Sequence, residues 1–349
     1  MSKLTDLFLP NLPAERWQEL FEFARKQSIL GVTFPFLDEL PRGAGAPLNV
    51  YSRWALADER IRTVNARQIE AARELCAEFA AAGFRTCVLK GQGSASFYPE
   101  PLRRQCGDID VWVQGTREEI LSYVRPRCEK MGDIVYHHCD PKGIKKGVSV
   151  EVHFTPTWMN DPVLNRRMQR WFASNADAQF SNIHPDLGFA IPTVPFATAF
   201  CVMHIFRHVM DEGIGLRQLM DLYYLLEALP AEEHAGVMSI LNSLKLGRFT
   251  AALMHVITEQ FPLPAGKMLT APDERRGAFL LDEVMISGNF GKYDSRNAHA
   301  AKEGRVGKLI RKTRRQMRFF GLCPREVLAA PLFKMWQYLW RRKNKYLHS

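Results

Sequence analysis

The chain has 349 residues, 46% of them apolar, and a formal net charge of +10. That is enough for two or three packed units with real cores, and it excludes a disordered chain. No apolar run approaches the roughly 20 residues of a membrane-spanning helix, and MSKLTDLFLPNLPAERW, with one lysine and prolines in its apolar patch, does not read as a signal peptide.

Seven cysteines (Cys76, Cys87, Cys106, Cys128, Cys139, Cys201 and Cys323) form no C-x-x-C pair. An odd, scattered set points to free thiols in a reducing cytoplasm and to no zinc knuckle. The charge is uneven. From Ala301 to Ser349 fourteen Lys and Arg face two acids, Glu303 and Glu326, so this segment carries +12 and the first 300 residues −2. The basicity belongs to the tail, where it suits an anionic partner.

In chain order, residues 13–30 carry Trp17, Leu20, Phe21, Phe23 and Ala24 at helical spacing. The Gly/Pro-rich break PRGAGAPLN follows. A long helical pattern then runs from about Val50 to Ala82 and stops at Gly83. From Phe84 the texture changes. FRTCVL reads as a short buried strand, KGQGSASFYP as a glycine-bearing segment, DIDVWV as a second strand and residues 116–131 as a helix. GDIVYHHC and GVSVEVHF read as two β-rich runs joined at DPKGIKKG in a hairpin. After Pro162 apolar residues recur three or four apart in several segments, which predicts a helical domain. The segment 286–304 reads as a loop or linker. In the tail, Leu328, Leu332, Trp336, Leu339 and Trp340 lie near one helical face. The expected organisation is an α+β protein with a helical N-terminal region (1–82), a mixed α/β core (83–159), a helical domain (160–290) and a basic C-terminal tail (291–349).

The chemistry centres on Gly107-Asp108-Ile109-Asp110, leading into Val111-Trp112-Val113. Strand residues two apart face the same way, so Asp108 and Asp110 converge. Two such carboxylates repel unless a cation sits between them, and Mg²⁺ favours one or two carboxylates plus phosphate oxygens. A lone D-x-D is common; its surroundings strengthen it. Lys90-Gly91 opens a small segment with Gly93 and Ser94, where glycines let the backbone approach a phosphate. Arg104 precedes Asp108 by four residues. In Val148-Ser149-Val150-Glu151-Val152-His153-Phe154, Glu151 and His153 share one face. A third acid beside two metal-binding aspartates suits in-line transfer. The bland readings are a surface turn with a solvated lysine and a half-exposed strand.

Leu89-Lys90-Gly91, Tyr98-Pro99, Arg104, Asp108-Ile109-Asp110 and Glu151-x-His153 together resemble a family of bacterial nucleotidyltransferases, divergent members of the DNA polymerase β superfamily. Leu216-Arg217-Gln218-Leu219 and Asp221-Leu222 resemble that family's helical domain. The resemblance covers most of the chain. It implies a polymerase β-like core (a small mixed sheet with flanking helices) and a two-metal transfer of a nucleoside monophosphate from an NTP. It implies Asp108, Asp110 and Glu151 as catalytic metal ligands, with Mg²⁺ or Mn²⁺ in its place. Lys90, Gly91, Ser94 and Arg104 would hold the nucleotide. The superfamily's usual Gly-Ser is Lys-Gly here, and the third acid is Glu where Asp is common. The acceptor stays open among a small molecule, a sugar, a protein and an RNA end.

Other candidates are weaker. His204 and His208 lie one helical turn apart, with Asp211 and Asp221 downstream, and would suit a metal-dependent hydrolase. The adjacent glutamate of H-E-x-x-H is missing. His153, His208 and Arg217 are expected to line the cleft; His137 and His138 receive no role. A catalytically weak nucleotide- or partner-binding module is a further alternative. The tail has three readings: a solvated or packed helical face, a nucleic-acid contact, and an anionic membrane surface that would make a cytoplasmic protein peripheral.

Overall fold

The computed structural model describes residues 12–40, 45–294, 296 and 305–346. The N-terminal stretch before Leu12, part of the Gly/Pro-rich break and residues 297–304 of the expected linker lie outside these.

The first helix among the described residues, α1 (Ala14–Gln27), buries Trp17, Phe21 and Ala24, which recur along one face. It leads through Ser28 into α2 (Leu30–Asp38). The long α3 (Leu48–Ala81) serves two cores. Val50 and Trp54 at its start join one, and Ala72, Leu75 and Phe79 near its end join the other. Gly83, at φ 85°, turns the chain into the sheet with a backbone that only glycine adopts at low cost.

The sheet holds β1 (Thr86–Val88), β2 (Ile109–Val113), β3 (Lys130–Ile134), β4 (His138–Lys142) and β5 (Val150–His153) in the order β1-β2-β5-β4-β3. The β2–β5 pair is parallel and the others antiparallel. A short α4 (Gln92–Ala95) follows β1, and α5 (Arg117–Val124) follows β2. Alternation along β2 decides the two faces. Ile109, Val111 and Val113 join α3 and α5 in one core. Asp110 and Trp112 take the other face, where the Trp112 ring lies 4.6 Å from Phe180.

Two expectations change here. The helix foreseen over 116–131 ends at Val124. A 3-10 turn, Arg125–Arg127, follows around Pro126, and Lys130 and Met131 already belong to β3. The foreseen two-strand hairpin is three strands. GDIVYHHC folds on itself around Val135–His137, and Asp140-Pro141-Lys142 extends β4. Pro141 is tolerated because β5 pairs only with His138 and Cys139.

The helical region comprises α6 (Pro162–Ser181), α7 (Val194–Asp211), α8 (Leu216–Ala228), α9 (His234–Ser243), α10 (Gly247–Gln260) and α11 (Glu274–Ser287). Asp161 caps α6 by accepting from the Val163 and Leu164 N–H groups. These helices share one core with α1, α2 and the Trp112 face of the sheet. The protein is thus α+β, with a polymerase β-like core flanked by helices on both sides in sequence.

The tail forms α12 (Arg305–Arg318) and α13 (Pro324–Lys343). Helix α13 docks through Val327 and Ala330. Leu328, Leu332, Met335 and Leu339 point outward, each more than half exposed. Trp340 turns inward, over Arg117 and against Tyr346, so the apolar face read from the sequence is split in two. Among the described residues no helix is long and apolar enough to cross a membrane.

Candidate active site

The parallel β2–β5 pair sets Asp110 directly beside Glu151. Asp108 lies just ahead of β2, half-buried, on a loop that α3 holds. Asn65 Nδ2 donates to the carbonyls of Leu102 (2.6 Å) and Arg104 (2.8 Å), and Gln68 donates to that of Gly107. From the other side the Leu89 N–H donates to the Asp110 carbonyl at 2.9 Å, which brings Lys90 across β2.

Asp110 is 1% exposed. Lys90 Nζ (3.1 Å) and His153 Nε2 (3.0 Å) both end on its Oδ1. Its Oδ2 is buried with no hydrogen-bond partner among the described residues. Burial opposes charge on Lys90, but Asp110, Asp108 and Glu151 outweigh it and raise the ammonium pKa. Burial likewise opposes the His153 imidazolium, yet its bonds to Asp110 and Glu151 hold it up at about 9. Glu151, despite burial, is held down at about 2 by His153 and His138. The site is therefore a charged pair of strands, with acids and bases interleaved.

Gly91 has φ 66°, and a Cβ there would come within 3.3 Å of the Asp108 carbonyl oxygen. The chain passes close under Asp108 because this residue is glycine. Lys90, Gly91, Ser94, Asp108 and Asp110 border a narrow cavity of about 60 Å³, room for a few waters or one phosphoryl group. Arg104 borders it too, but its Nε and Nη2 are taken by Asp221 on α8 at 2.7 and 2.6 Å. Arg217 donates to the Gln105 carbonyl at 2.8 Å and to Asn289 Oδ1 at 3.3 Å. Both arginines tie the helical region to the loop that carries Asp108.

A wider cleft of about 650 Å³ opens on the Glu151 side. Lys90, Asp108, Glu151 and His153 form one wall. His204, Arg207 and His208 of α7, with Phe290, form the other. His204 and His208 contact each other at 4.4 Å between ring centroids, but among the described residues no third ligand side chain completes a metal group with them. Asp221, the acid expected to help them, is bound by Arg104 and by the Tyr98 hydroxyl.

The pattern of a family described as uncharacterised nucleotidyltransferase matches residues 13–262. The chain belongs to this family. The match runs from α1 to α10 and so takes in the whole sheet, the three acids, Lys90-Gly91 and the cleft residues of α7. Membership supports nucleotidyl transfer as the general activity. A comparison with curated proteins finds no match.

In this nucleotidyltransferase-family chain, sequence reasoning brought together Lys90, Asp108, Asp110, Glu151 and His153. It missed His137, His138, Trp158, Arg207 and Phe290, all of which border the wide cleft. A signal existed for His138: it is the register partner of His153, so the imidazoles share a face. Arg207 and Phe290 carried none, since the packing of α7 and the turn after α11 bring them in.

Proposed function

We propose that this protein is a metal-dependent nucleotidyltransferase of the polymerase β type. It moves a nucleoside monophosphate from an NTP to a hydroxyl of an acceptor. The observation that carries this reading is Asp110: Lys90 and His153 share its Oδ1, and its buried Oδ2 has no partner among the described residues. A buried carboxylate oxygen is nearly always bonded. Glu151 is its register partner on β5 and Asp108 lies two residues before it; these carboxylate oxygens fit Mg²⁺, or Mn²⁺ in its place.

Asp108, Asp110 and Glu151 would hold the ions, which when bound neutralise charge building on the phosphates. Lys90, kept charged by its acids, stabilises the departing pyrophosphate from the seam between the narrow cavity and the wide cleft. Gly91 and Ser94 border the space for one terminal phosphoryl group. The 650 Å³ cleft has the size of a small-molecule site and takes the nucleoside and the acceptor. His153 holds Asp110 in place. A bond forms between the acceptor oxygen and the α-phosphorus, the bond from that phosphorus to the pyrophosphate oxygen breaks, and the hydroxyl proton passes to Glu151. Three converging acids favour catalysis over a module that only binds.

The test is thermal shift with ATP, GTP, CTP and UTP, with and without Mg²⁺, on the wild type and on Asp108→Asn. A ligand that binds only the native state at 100 times its Kd stabilises by about 2.7 kcal/mol. A Mg²⁺-dependent rise with one NTP, lost in the variant, is expected. No rise with any NTP–metal pair would overturn the reading.

The outward face of α13 supports a place for the protein at an anionic membrane surface. Its exposed Leu328, Leu332, Met335 and Leu339 lie beside exposed Arg342, Lys343 and Lys345. Apolar side chains entering the interface with bases among anionic headgroups bind by both terms.

A further inference from the structure

Three imidazoles meet on the cleft side of the sheet. His137 Nε2 and His138 Nδ1 lie 2.7 Å apart. His138 Nδ1 is 3.6 Å from Glu151 Oε2, and His153 Nε2 is 3.5 Å from the same oxygen. Ligand atoms of His137, His138 and His153 all fall within 4.8 Å of one another. Around a tetrahedral Zn²⁺ with bonds of about 2.0–2.1 Å, neighbouring donors sit about 3.3 Å apart. His138 Nδ1 and His153 Nε2 are each already near that spacing from Glu151 Oε2. The His137–His138 pair opens by about half an ångström to join them.

A second observation is independent of these distances. Among the described residues, Nδ1 of His153 and of His137 are buried without hydrogen-bond partners. His153 is 3% exposed. Imidazoles kept only for packing would have their nitrogens bonded. Two open ring nitrogens in one cluster of imidazoles point to a ligand.

We infer that His137, His138 and His153, with Glu151, form a nitrogen-rich site for a zinc-class transition-metal ion beside the carboxylate pair. Imidazole nitrogen suits Zn²⁺ and its neighbours, whereas Mg²⁺ prefers oxygen. The two ion positions along the cleft thus differ in kind: oxygen at Asp108 and Asp110, nitrogen at the histidines. The site rests on the transferase reading only in sharing Glu151. It lies on the wall of the wide cleft, where it would polarise an acceptor hydroxyl.

The test is calorimetric titration of the full chain with Zn²⁺ and with Mg²⁺, together with the visible spectrum on adding Co²⁺. The wild type binds one Zn²⁺ at least about tenfold more tightly than Mg²⁺, and Co²⁺ gives ligand-field bands that Zn²⁺ displaces. His137→Asn/His138→Asn weakens Zn²⁺ by about tenfold or more and removes the bands. Asp108→Asn keeps Zn²⁺ binding while losing the Mg²⁺–NTP response, which separates the two readings. Equal affinity of the wild type for Zn²⁺ and Mg²⁺, or unchanged Zn²⁺ affinity in the double variant, overturns the site. Should that variant fail to fold, the wild-type preference and the Co²⁺ bands alone decide.

Discussion

Arg104 meets Asp221 head-on across the seam between sheet and helical region, Nε to Oδ1 at 2.7 Å and Nη2 to Oδ2 at 2.6 Å. The Tyr98 hydroxyl donates to the same Oδ1 at 2.7 Å. All three side chains are buried, so their charges and dipoles answer one another at close range. Removing one partner strands the other. Asp221→Ala should cost about 3–5 kcal/mol in urea unfolding, and Arg104→Ala/Asp221→Ala should cost less than the two single changes together. A single-variant loss below about 1 kcal/mol would mean that the seam does not depend on the pair.

The cleft histidines give the metal-free protein a stability maximum near pH 6.5. Burial, with neighbouring histidines and Lys90, drives the pKa of His137 and His204 well below the usual value and that of His138 to about 4. The unfolded chain takes up these protons near pH 6.5 and the fold refuses them. Stability is therefore full above that pH and falls below it, by about 1.4 kcal/mol per pH unit for each group. His153 acts in the opposite sense: its charge, held up to about 9, stabilises below pH 6.5 and is lost as pH rises through 9. The melting temperature should decline on both sides. His204→Asn should flatten the acid limb; a melting temperature still rising from pH 6.5 to 5 would contradict the burial argument.

Vesicles test the α13 face. The full chain should sediment with phosphatidylglycerol-containing vesicles and not with pure phosphatidylcholine, and less so as salt rises. Leu332→Glu/Leu339→Glu should abolish sedimentation without lowering the melting temperature, because both side chains are more than half exposed. Binding to single-stranded RNA that competes with vesicles, or self-association through the same leucines, would assign the face to a different partner.

Most of the scaffold could be read from the residues. Helical spacing marked α1, α3 and α6 to α8, and period-two alternation marked the faces of β2 and β5. Asp110, Glu151 and His153 followed because strand geometry is local and alternation declares their side, whereas Asp108 lies just before β2 on a loop that α3 holds. Arg104 and Arg217 were harder. Arg104 was expected to hold the nucleotide and Arg217 to line the cleft, while their partners, Asp221 and Asn289, come from a helix and a turn far along the chain. The turn between β3 and β4 went unread inside GDIVYHHC, and the turn expected from Asp140 begins only after Lys142, because Asp140-Pro141-Lys142 extends β4.

Parallel strands cannot be joined by a tight turn. Between β2 and β5 the chain must first lay down α5 and the β3–β4 hairpin. Asp110 and Glu151 are therefore brought side by side only by a pairing between segments about forty residues apart in the chain. The full set of donors exists only once the last strand slots between its neighbours. Ions would then act as a latch on the finished protein and not as a template for building it: they would slow its opening and leave the rate of its formation nearly untouched.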